Sequence, residues 1–109
     1  MKAADAIVVL VTAGNEEEAE KLARLLLEQQ KIACANIVPR VRSLYHWEGK
    51  IESDDECLMV MKTVGKALPD IVRIVKEHHS YDVPEVIALP ITGGSEDYLE
   101  WLAGEVTTP

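Results

Sequence analysis

Two adjacent imidazoles, two distant thiols and one acidic run are the residues of this sequence whose types could do chemistry. His78 and His79 are neighbours, and imidazole is the commonest metal-binding side chain. Successive residues on a helix point about 100° apart, so both rings could grip one ion only where a helix frays. The alternative stays open: His79 completes a buried stripe while His78 favours the dipole at a helix C-terminus. Cys34 and Cys57 lie far apart with no CxxC pattern, as expected of free, buried thiols in a reducing compartment. Glu52, Asp54, Asp55 and Glu56 could attract a hard cation. They lack the spaced pattern of a calcium loop, and they suit a solvated strand guarded against edge pairing. Gly93-Gly94-Ser95 could cradle an anion through backbone amides, but Glu96 and Asp97 follow at once, which favours a turn and a helix cap. No HExxH, GxGxxG, GxxxxGK[ST] or GxSxG motif occurs. No nucleophile–base pair can be assembled either, so the chain reads as non-enzymatic.

The elements that must position these residues follow from periodicity. Ile7 to Thr12 is a continuous, largely β-branched run, as in a strand buried on both faces. Asn15 with Glu18 resembles a capping box, and Glu16 to Glu18 suit the positive end of a helix running to about Gln30. Ile32 to Trp47 reads as a strand interrupted at Pro39, where a bend, bulge or edge position is expected. Glu48-Gly49 turns the chain into a return strand that becomes apolar from Cys57 to Met61. Each arm of this hairpin spans about twelve residues, against a usual strand of about five or six. Pro69 and Asp70 open a second helix, which ends before Pro84. Val86 to Thr92 is expected to be a fourth strand, and Ser95 caps a short terminal helix. The order β-α-β-β-α-β is the ferredoxin-like, α+β arrangement: an antiparallel sheet with helices on one face, here with a long hairpin and a short C-terminal helix.

Composition bounds what such a domain can do. Its 109 residues suit one domain with a real core, and 48% hydrophobic residues exclude disorder. A formal charge of −8 argues against binding a nucleic-acid backbone. Residues 50–109 carry twelve acids and five bases, so most of the excess lies there. The opening residues form no secretory signal or membrane span, and a cytoplasmic home is expected. Tyr45, Trp47, Tyr81, Tyr98 and Trp101 are the only aromatic residues beside the histidines. Two of them, Tyr45 and Trp47, fall on the projecting hairpin, which favours an oligomerisation arm over a ligand cage or a role in the same subunit's core.

Five strings in register resemble one family. They are Cys34-Ala35-Asn36-Ile37-Val38-Pro39, Ser43 through Ile51, Lys62-Thr63, His79-Ser80-Tyr81-Asp82-Val83-Pro84-Glu85, and Tyr98-Leu99-Glu100-Trp101-Leu102. Together they resemble the CutA family, the divalent-cation tolerance proteins, over an ordered core from about Ile7 to Leu102 of a single domain, residues 1–109. The resemblance implies a cytoplasmic homotrimer, with Tyr45 and Trp47 at the interface and a part in tolerance of copper and other divalent ions. It carries over His78 and His79 as metal ligands with Cys34 as a weaker third, the metal bound weakly and no cofactor obligatory; the charge and the lack of a long apolar span leave neither nucleic acid nor membrane as an expected partner. Ser80 stands where the family commonly has proline, and Val11 where some members have a cysteine. The family's likeness to trimeric nitrogen-regulatory signalling proteins implies an alternative, a module binding a small molecule or a protein in clefts between subunits.

Overall fold

In the computed structural model, which describes residues 5–107, two helices and a four-stranded sheet enclose the core. Strands β1 (Ala6–Ala13), β2 (Cys34–Trp47), β3 (Lys50–Val64) and β4 (Ile87–Pro90) lie in the order β2-β3-β1-β4, each pair antiparallel. Helix α1 (Glu16–Glu28) follows β1, α2 (Leu68–His78) follows β3, and α3 (Glu96–Gly104) closes the chain. This is the ferredoxin-like arrangement expected from the sequence.

The core lies under α1 and α2. Val9, Val11 and Ala13 of β1 and Cys57, Met59 and Met61 of β3 point to one side, as the period of two requires. They meet Ala19, Leu22, Ala23 and Leu26 of α1 and Ile71, Ile74 and Val75 of α2, the 3.6-period stripes of amphipathic helices. Asn15 caps α1 by accepting from the Glu18 N–H at 2.8 Å. Glu18 reaches back to the Gly14 N–H at 3.1 Å, one residue before the cap, in a variant of the capping box. Ser95 caps α3 by accepting from the Tyr98 N–H.

The hairpin is longer than expected, with arms of 14 and 15 residues. Its turn is built from Glu48 (φ 52°) and Gly49 (φ 77°), both left-handed, which matches the twist of the strands it joins. Pro39 falls at a register shift between Val38 and Val41 on the outer strand, where a missing N–H costs no ladder bond. The hairpin stretches the molecule to 44 Å against 25 and 22 Å in the other directions. Strand β4 is shorter than expected, ending at Pro90; beyond it the Ile91 N–H still bonds to Ala6 O at 3.0 Å.

Candidate functional site

The loop after α2 folds back over the far end of β1 and the middle of the hairpin, and the side chains with unusual partners gather there. His79 is the residue that ends α2, with extended backbone (φ −76°, ψ 145°). Its ring is buried and bound at both nitrogens. Nε2 lies 2.8 Å from the Thr12 carbonyl and Nδ1 lies 3.0 Å from the Tyr81 N–H. A carbonyl only accepts and an amide only donates, so Nε2 carries the proton and Nδ1 offers its lone pair to Tyr81. His79 thus has no free lone pair for a metal. The Tyr81 ring packs against it with centroids 4.6 Å apart.

Glu18 ties the same loop to α1. Its carboxylate accepts from the Ser80 N–H at 2.7 Å and the Ser80 hydroxyl at 2.9 Å, besides Gly14. Burial alone would raise its pKa, but these three bonds outweigh that and hold it below the ordinary value.

The residues expected as metal ligands do not form one site. His78 is exposed on α2 and lines a groove of about 390 Å³ along α1, shared with Glu18, Lys21, Arg24 and Glu28. Cys34 opens β2 opposite Lys62, whereas Thr12, the partner of His79, lies opposite Leu58. Four residues of β3 separate those positions, about 13 Å of strand. Cys34 has the Tyr98 hydroxyl of α3 as its neighbour, at 3.6 Å. Among the described residues no three His, Cys, Asp or Glu side chains are grouped to hold a metal ion. The donor set does not fit a resident metal.

The acidic run also departs from expectation. Asp54 and Asp55 are exposed, with Tyr45 donating to Asp54 and Arg40 paired to Asp55 at 3.1 Å. The Asp54 carboxylate, by accepting the Tyr45 proton, pushes that phenol up to about 12. Glu56, expected in solvent, is only 8% exposed. It is covered because Tyr81 returns across it and donates to Oε2 at 2.8 Å. Burial, then this bond, raises the Tyr81 pKa above its ordinary value. Between the hairpin and the Ser80–Glu85 loop lies an open cleft of about 810 Å³, whose walls include Tyr45, Trp47, Glu56 and Tyr81. Nothing in the spacing of Glu56 and Tyr81 announced it.

The hairpin tip and sheet margin leave large apolar side chains in solvent. Leu44, Trp47 and Ile51 are 66%, 50% and 72% exposed, and Ile87 and Leu89 are exposed on β4. A model of the CutA1 divalent ion tolerance proteins matches residues 7–105. The chain belongs to that family. It is 52% identical over 101 residues to the chloroplastic CutA protein of Arabidopsis thaliana, covering 93% of this chain and 56% of that one. It therefore spans about half the length of that plant relative. It is 45% identical over 95 residues to the divalent-cation tolerance protein CutA of Thermus thermophilus, covering 87% of this chain and 92% of that protein. The solved structure of the divalent cation tolerance protein of Thermus thermophilus superposes with a TM-score of 0.92 at 42% identity, over 94% of this chain and 99% of that one. The CutA1 fold is thus present in full, including the projecting hairpin. Among the described residues, no helix is long and apolar enough to cross a membrane.

Proposed function

We propose that this CutA1 chain is the subunit of a non-enzymatic homotrimer that serves tolerance of divalent cations, binding them weakly and at its surface. The observation that carries the oligomer is the hairpin, whose Leu44, Trp47 and Ile51 stand in solvent beyond any core of their own chain. Large apolar side chains left in solvent on a projecting arm mark a protein interface, and Trp is among the side chains most enriched at binding hot spots. For the cation, His78 is an exposed imidazole on a chain of formal charge −8. An exposed imidazole that belongs, among the described residues, to no grouped donor set supports loose contact with copper or another divalent ion rather than a closed site. A cytoplasmic, reducing setting is supported by the free thiols of Cys34 and Cys57.

Light scattering at micromolar concentration is expected to give three subunit masses; a single subunit mass overturns the trimer. Titration with Cu(II) is expected to give weak binding that falls in His78→Ala. An unchanged isotherm in that variant removes His78 from the reading. A second reading, a module that binds a small molecule, is favoured by the cleft between the hairpin and the Ser80–Glu85 loop.

A further inference from the structure

Lys31 joins four segments of the chain through its own atoms. Its ammonium lies 3.0 Å from the Asp70 carboxylate of α2 and donates to the Thr107 carbonyl, beyond α3, at 3.4 Å. Its backbone carbonyl accepts from the buried Thr63 hydroxyl of β3 at 2.6 Å. Its N–H donates to Leu26 O of α1 at 2.9 Å. The tail has two more bonds here. The Thr107 N–H donates to Gln30 O at 2.7 Å, and the Thr107 hydroxyl donates to Gln30 Oε1 at 3.3 Å. Val106, just before, is half-buried against the core.

The tail reaches this node from the other side of the sheet. Cys57, Met59 and Met61 of β3 face the helices, so Lys62 points away from them. Cys34 stands opposite Lys62 in register and shares its face. The Tyr98 hydroxyl sits 3.6 Å from the Cys34 thiol, which puts the start of α3 on the face that α1 and α2 leave open. After Gly104 the chain therefore passes round the end of the sheet and is fastened to the helical layer. All these contacts lie within one chain, at the end of β3 away from the hairpin turn. Assembly through Tyr45 and Trp47 leaves them in place.

Helix α3 has little else to hold it. It is nine residues long, and helices below about 12 residues are marginal alone in water. Leu99 and Leu102 are its buried side chains, whereas Tyr98 and Trp101 are exposed. Short elements with few buried contacts open first, as local units.

We propose that residues 105–107 are a strap locked by Lys31, and that undoing the lock lets α3 and the tail open as one unit while the sheet, α1 and α2 stay folded. Opening lifts Tyr98 away and uncovers Cys34. Access to that thiol is thereby set by an ammonium on the other side of the sheet. The device depends on neither metal binding nor the hairpin interface.

The test is hydrogen exchange under native conditions, with timed alkylation of both thiols by iodoacetamide, on the assembled protein. Lys31→Met removes the ammonium and keeps the backbone bonds, and Asp70 retains Arg73 at 3.7 Å. Exchange across residues 98–107 and alkylation of Cys34 should both quicken about fivefold, the worth of one hydrogen bond. Cys57, only 2% exposed, should stay unlabelled. Thr107→Pro removes the shortest strap bond on an exposed residue; it should act in the same direction and serves if Lys31→Met melts early. Lys31→Arg keeps the charge and its donors and should match the natural protein. Equal quickening at Cys34 and Cys57 means that the whole domain loosens, which overturns the strap. Unchanged exchange in α3 in both Lys31→Met and Thr107→Pro overturns it too. Faster exchange in α3 with no change at Cys34 shows a helix that opens without uncovering the thiol, and overturns the proposal equally.

Discussion

Glu18 holds Ser80 by both its backbone N–H and its hydroxyl, at 2.7 and 2.9 Å, across 62 residues of chain. One carboxylate thereby joins the first turn of α1 to the loop that covers the end of β1. The helix start and the loop are fastened together, and the loop carries both His79 and Tyr81 into place. Replacing Glu18 by Ala should cost about 1–3 kcal/mol, since hydrogen bonds to a charged acceptor are lost together. Chemical denaturation measures it, and an unchanged midpoint would mean that the loop stays in place without the clasp.

The same clasp fixes a pH dependence. The folded-state pKa of Glu18 is depressed below 4.5, so its contribution is fully present above that value and is lost as pH falls through the folded value. The melting temperature of the natural protein should therefore fall more steeply below pH 4.5 than that of Glu18→Gln. Parallel curves for the two proteins would show that the carboxylate carries no acid sensitivity.

The adjacent histidines should separate cleanly in stability. His79→Ala leaves the Thr12 carbonyl and the Tyr81 N–H without their ring partners and opens a cavity, a loss of about 2–5 kcal/mol. His78→Ala, on an exposed position, should change stability by less than about 0.5 kcal/mol. Equal losses in the two variants would contradict the orientation of the rings.

Much of this arrangement could be read locally. Asn15, Pro39 and Glu48-Gly49 each act on backbone within a few residues, so their cap, bulge and turn were legible from residue type alone. The alternation of the hairpin announced its excess length, though not its last few rungs. The site was less legible because its contacts are distant. His79 is fixed by Thr12, 67 positions earlier, and Glu56 is covered by Tyr81, 25 positions later. Adjacency made His78 and His79 resemble a pair of ligands, yet the end of α2 turns one ring to solvent and the other inward. Cys34 was separated from both by the sheet register, which no spacing along the chain reveals.

The hairpin tip offers the sharpest test of assembly. Trp47 stands opposite Lys50 across the two-residue turn and is half exposed, so within one chain an aspartate there would face water at little cost. Folding of the isolated subunit should hardly register Trp47→Asp. In a trimer that buries this ring the same carboxylate would be desolvated without a partner, which costs several kcal/mol, repeated at three symmetry-related contacts. The variant is therefore expected to keep its far-ultraviolet spectrum while its mass by light scattering falls toward one subunit at micromolar concentration. Its melting temperature should also become concentration-dependent in a range where the natural protein shows none. A full-mass trimer with unchanged melting would remove Trp47 from the interface and leave Leu44 and Ile51, the more exposed neighbours, as the residues to test.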